Sequence, residues 1–433
     1  MKKIEILVNA DFLINHYFSD SKYVGIYYVS LNILEKLKQQ SEFNITLSYG
    51  LEHIWGNKIK KIKNDVFFKD FSFFFINNSE YKPYINEIKH RIANFKIKSI
   101  KRIIKCLIKL IIFKYLEYFN KILLINNEDI LKFDIYFSLY NAIPSKLKNM
   151  LHIKKFIMLY DIIPFFEITQ NEEKLIEREN FRLITNSIDK QTYIFCISEY
   201  TKYDFKKHFG NKIDFNKMYV CYLFTSNNFI QNYDKNKLNY VFKKYKIELL
   251  KNKYILSICS MHPRKNVPFA VKCFLKFIKK NSIDDLYFYL AGASSDVIIN
   301  GVYPALQDFP EYKDKIVILG YIQEEDINLI LSNAMFFVYL SKYEGFGMPP
   351  LEAMQAGTPV ITSNNSSLPE VVGDAAISVN CEDENEIIKA FESLYYKEDL
   401  RLQYIDLGLK QAKLFNLDKT IKTITNVFTN LQS

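Results

Sequence analysis

The chain has 433 residues, of which 49% are hydrophobic, 24% charged and 16% aromatic. This composition excludes a mainly disordered chain, and the length points to two domains of about 200 residues each rather than one core. The formal charge of +10 fits nucleic acid, anionic lipid or a phosphorylated substrate, so its distribution has to decide between them. Six cysteines (Cys106, Cys196, Cys221, Cys259, Cys273, Cys381) form no Cys-x-x-Cys pair, and six histidines form no His-Glu-x-x-His. They read as buried thiols in a reducing compartment, and no protein-built metal site is expected.

In chain order, the opening MKKIEILVNADF is apolar over too short a stretch for the core of a signal peptide and reads as a first strand. Strand-like runs follow at 45–49, 135–139, 156–160 and 193–197, then at 254–259, 286–291, 316–319, 336–340 and 360–362, separated by longer helical patterns. Such alternation predicts an α/β fold with two parallel, doubly wound sheets. The polar, Asn- and Lys-rich stretch 226–246 divides the two groups and is the expected linker, with the boundary near 230.

Residues 88–124 stand apart, because lysines and arginines such as Lys98, Lys101 and Arg102 interleave at helical spacing with Ile97, Ile100, Ile104 and Ile108. Two readings stay open: a helix lying on an anionic membrane surface, or a core-packing helix with a solvated lysine face. Charges interrupt it too often for a membrane span. The positive charge gathers in this segment without a nucleic-acid-binding motif, so no nucleic-acid partner is expected.

The chemistry concentrates in SKYEGFGMPPLEAMQAGTPVITSNNSSLPEVVGDAA, residues 341–376, directly after the apolar run MFFVYL. Glu344 and Glu352 are separated by seven residues. Gly345 and Gly347 allow close backbone approach and positive φ, and Pro349 and Pro350 sit where a short helix, 351–356, would open its free N–H groups to an anion. Upstream, Arg264 and Lys265 follow the strand-like run 254–259.

These residues closely resemble the GT-B retaining glycosyltransferases of family 4. The resemblance implies two Rossmann-like domains facing across a cleft: 1–230 on the acceptor side, carrying the basic insertion at 88–124, and 231–410 on the donor side. Residues 411–433 are then a C-terminal helix crossing back to the first domain. It also implies a nucleotide-sugar donor, a glycan or lipid-linked glycan acceptor, no cofactor and no metal. Glu344 would contact the donor sugar, Glu352 the ribose, and Arg264 and Lys265 the diphosphate. Gly345, Phe346, Gly347 and Leu351 complete the donor-binding set. Cys259 replaces a family glycine.

In the first half, Gly25 matches the family's glycine-rich turn, Tyr160-Asp161-Ile162-Ile163-Pro164 its His-Asp-x-x-Pro motif, and Ser198-Glu199-Tyr200-Thr201 its serine-containing helix start. Tyr160 replaces histidine and cannot carry a proton near neutral pH as imidazole does, so no general base is expected there. Asp161 either orients the acceptor or caps the following turn. The implied setting is the cytoplasm, at the inner face of the cell membrane, in surface-polysaccharide synthesis. The alternative from another class is a non-catalytic relative acting as a membrane-associated binding or scaffold subunit.

Overall fold

A computed structural model describes residues 3–17, 25–49, 65, 67–68, 70–75, 127–166, 172–245, 247, 253–292 and 295–431. The amphipathic segment 88–124 lies outside the described residues. Among those described, no helix is long and apolar enough to cross a membrane.

The chain forms two compact units. The first comprises Met1–Ile197, Thr201–Cys221 and Ile421–Ser433, and the second Ser198–Tyr200 and Tyr222–Thr420. The first holds strands β1 (Ile4–Asn9), β2 (Phe43–Tyr49), β3 (Ser72–Phe75), β4 (Ile135–Ser138), β5 (Lys154–Leu159), β6 (Tyr193–Cys196) and β7 (Met218–Val220). They form one parallel sheet in the order β3-β2-β1-β4-β5-β6-β7. The second holds β8 (Lys253–Cys259), β9 (Leu286–Gly292), β10 (Ile316–Gly320), β11 (Phe337–Tyr339), β12 (Val360–Ser363) and β13 (Ile377–Val379). Their parallel order is β10-β9-β8-β11-β12-β13. All ten expected strands are present. The three that pattern alone missed, β3, β7 and β13, are edge strands of three or four residues.

The stretch expected to be a linker is largely ordered structure of the second unit. Residues Lys235–Lys244 form a helix capped by Asp234, which accepts the N–H groups of Asn236 and Lys237. Leu238, Val241 and Phe242 are buried, and their spacing puts them on one face of an otherwise polar helix. In this unit the helix Val267–Lys280 lays Ala270, Val271, Phe274, Leu275 and Ile278 into a core shared with Phe288, Leu290, Val338 and Ile361. Of the six cysteines, Cys196, Cys221, Cys273 and Cys381 are buried. Burial pushes the thiol pKa of Cys221 well up and that of Cys273 up to about 12, so both are inert thiols.

The last helix, Leu417–Asn430, starts among residues of the second unit and ends in the first. Within the first unit, fully buried Phe428 meets the rings of Phe43, Phe137, Phe156 and Phe195 at centroid distances of 6.1, 5.5, 4.7 and 6.0 Å. Phe428→Ala would empty that aromatic pocket, and urea unfolding followed by far-UV dichroism should show a loss of about 4 kcal/mol.

Candidate active site

In the second sheet the strand order reverses beside β8, whose neighbours are β9 on one side and β11 on the other. Ligands in open α/β sheets bind outside the carboxyl ends of the strands at such a switch point, because the two following connections diverge to opposite faces and leave a crevice. The connection after β8 carries the turn Pro263–Lys265, in which His262 Nδ1 accepts the Arg264 N–H at 3.2 Å. Asn266 then closes the turn with φ of 57° and anchors it by donating from Nδ2 to Cys381 O at 2.8 Å. The connection after β11 carries 341–347. The two are stitched together where Lys342 N and Ser341 Oγ both donate to Arg264 O, at 2.7 and 3.2 Å.

Arg264 and Lys265 therefore meet Glu344. Arg264 Nη1 lies 2.7 Å and Lys265 Nζ 2.6 Å from Glu344 Oε1, and Arg264 Nη1 also donates to Tyr343 O at 3.0 Å. Tyr339, the last residue of β11, donates its hydroxyl to the same Oε1 at 2.9 Å and accepts from Lys265 Nζ. Burial by itself would raise the Glu344 carboxyl pKa. The Lys265 and Arg264 charges together outweigh it, and the net shift is below the ordinary carboxylate value. At neutral pH the cluster thus holds one carboxylate and two cations, a net charge of +1 placed at the mouth of the sheet.

The loop is shaped by serines, of which Ser198 belongs to the helix start already singled out and Ser366 and Ser367 to no expected site. Ser366 Oγ accepts the Glu344 N–H at 3.0 Å, and Ser367 Oγ donates to Glu344 O and Phe346 O at 2.9 and 2.5 Å. Ser198, counted with this unit, donates to Gly345 O at 2.7 Å. Ser366 holds φ of 51°, a conformation a non-glycine residue keeps only where its surroundings enforce it. The signal of Ser366 and Ser367 was present in the run SNNSS, but a serine run reads equally well as an ordinary loop.

Of the two loop glycines, Gly347 takes positive φ, 133°, and a Cβ there would come within 3.0 Å of Leu368 Cδ2; Gly345 does not take positive φ. The short helix spans Met348–Gln355, starting three residues before the expected 351, with both prolines in its first turn. Leu351 and Phe346 are buried, the latter against Tyr222 and Phe415, so their side chains build the helix seat. Glu352 is half-buried on the same helix.

The first-unit candidates do not form such a cluster. Gly25 begins the helix Gly25–Lys38, is exposed, and would leave an added Cβ in open space. Tyr160 is buried, with its hydroxyl 3.2 Å from that of Ser30, and burial raises its pKa strongly. Asp161 Oδ1 accepts the Ile163 N–H at 2.9 Å, which is the capping arrangement.

The sequence model of the family described as "Glycosyl transferases group 1" matches residues 242–411. The O-antigen chain mannosyltransferase B of Escherichia coli is 27% identical over 278 residues, 64% of this chain and 70% of that protein. The O-antigen chain mannosyltransferase RfbU of Salmonella typhimurium is 28% identical over 240 residues, which is 55% of this chain and only 60% of the relative's length. Among solved structures, a glycosyltransferase from Rickettsia africae ESF-5 superposes over 100% of both chains with a TM-score of 0.65 at 14% identity.

The ion cluster makes a stability prediction with a definite sign. Glu344→Gln leaves Arg264 and Lys265 without their anion and should cost about 3 kcal/mol at neutral pH. Because the folded-state pKa of Glu344 is depressed, its contribution is present above the unfolded-state value and is lost as pH falls through the folded-state value. Urea titrations of both proteins should show the gap between them closing below the ordinary carboxyl pKa of 4.5.

Proposed function

We propose that this chain, which belongs to the group 1 glycosyltransferases and has the GT-B fold, moves a hexose-type sugar from a nucleotide diphosphate to a glycan or lipid-linked glycan, with retention at the anomeric carbon. The observation that carries this reading is the convergence of Arg264, Lys265 and Glu344 at the switch point of the second sheet. Two fixed cations suit a departing diphosphate, and a carboxylate beside them suits the paired hydroxyls of a sugar.

In the step we envisage, the bond between the anomeric carbon and the phosphate oxygen breaks and its electron pair leaves with the diphosphate. The acceptor hydroxyl attacks on the face the diphosphate vacates, and its proton passes to the departing phosphate oxygen. Arg264 and Lys265 stabilise the growing negative charge, so no metal ion and no protein base are needed. Glu344 orients the sugar and Glu352 holds the ribose. Residues 345–347 and the start of the Met348–Gln355 helix present backbone N–H groups to the diphosphate. In the first unit, Gly25 offers an exposed helix start, Asp161 shapes the turn after β5, and Tyr160 acts through packing and its bond to Ser30 rather than as a proton carrier.

The relatives' names place them in O-antigen synthesis, and we extend that setting to this chain: assembly of a surface polysaccharide in the cytoplasm, at the inner face of the membrane. An anionic membrane surface is the partner proposed for the basic segment 88–124.

Nucleotide-diphosphate release across a panel of nucleotide sugars tests the reading, beginning with mannose donors. One of them should support turnover that survives excess EDTA, and Glu344→Gln and Lys265→Ala should each lower kcat by about 100-fold or more. Absence of turnover together with no calorimetric binding of UDP, GDP or ADP would replace it with the non-catalytic scaffold reading.

A further inference from the structure

We infer that Tyr339 is a positioning residue for this chemistry, its hydroxyl setting the distance and direction between Lys265 and Glu344. The inference rests on the donor-site reading above and adds a residue to it. Tyr339 ends β11 with 2% of its surface exposed. Its single proton is committed, since Glu344 Oε1 only accepts; the lone pairs of the same oxygen then face the Lys265 ammonium, which only donates.

What distinguishes Tyr339 from its two partners is its mounting. Lys265 reaches the cluster on a flexible four-carbon stem from a short turn, and Glu344 from a loop that the Ser366 and Ser367 hydroxyls hold, so neither backbone belongs to a strand of the sheet. Tyr339 stands on a central strand paired on both sides, with Phe337 opposite Leu256 of β8 and Tyr339 opposite Thr362 of β12. Thr362 Oγ1 adds a bond to Tyr339 O at 3.0 Å. The hydroxyl is therefore the one member of the cluster whose position is set by the sheet, and both charged partners are referenced to it.

Tyr339→Phe keeps the ring and the direct Lys265–Glu344 ion pair, and removes only that reference point. A small misplacement of catalytic groups lowers turnover far more than it lowers binding. In the nucleotide-release assay Tyr339→Phe should lose about 30-fold in kcat, with KM for the donor and calorimetric affinity for the free nucleoside diphosphate within about threefold of the unchanged protein. Val338→Ala provides the contrast: Val338 is buried in the hydrophobic core on the opposite face of the same strand, and its truncation should lower the melting temperature while leaving kcat within about twofold.

A Tyr339→Phe protein that turns over within about twofold of the original overturns the inference, as does a kcat loss that Val338→Ala reproduces for the same loss of melting temperature. Failure of the underlying reading looks different, because then the unsubstituted protein itself neither releases nor binds a nucleoside diphosphate.

Discussion

One carboxylate oxygen organises the second unit's chemistry. Glu344 Oε1 accepts from a guanidinium, an ammonium and a phenol at once, and the buried carboxylate and phenol and the half-buried cations are each tolerable there because of the others. An unpaired carboxylate there would be driven toward its neutral form by lost hydration, and two unpaired cations would repel. Together they are ionised, mutually oriented and net positive. A cluster in that state is preorganised: its charges are already paired and oriented, so an anion placed against it would demand little rearrangement.

The cluster depends on topology more than on local sequence. Arg264 and Glu344 are 80 positions apart, and they meet because β8 and β11 are neighbours although β9 and β10 lie between them in the chain. Crossing from one edge of β8 to the other leaves the two following connections side by side at the carboxyl ends. Ser341 and Lys342 then bind the Arg264 carbonyl and convert adjacency into register.

The serines after β12 do the same for the backbone of the 344–347 loop. A glycine-containing loop has conformational freedom that costs entropy to suppress, and Ser366 and Ser367 suppress it by taking the Glu344 N–H and donating to two of the loop's carbonyls. The positive φ at Ser366 indicates that these bonds, rather than local preference, decide its conformation. In the first unit the comparable function is served by packing: Phe428 from the end of the chain fills the space among aromatic residues of β2, β4, β5 and β6.

Long apolar runs made the central strands and the fold class legible in the amino-acid sequence, since a strand covered on both faces must be apolar throughout. The Arg264-Lys265 pair, Glu344 and the glycines after it likewise marked the segments that converge beside β8, because side-chain chemistry and backbone freedom are local properties. The short edge strands and the helix Lys235–Lys244 were not legible: the first are defined by a partner strand, and the second is polar except for one buried stripe. Nor could residue types tell that Tyr160 turns its hydroxyl to Ser30, or that a tyrosine in the apolar run MFFVYL would reach Lys265 and Glu344. Those outcomes depend on which segments distant in the chain become neighbours, and that is decided only when the sheet closes around its core.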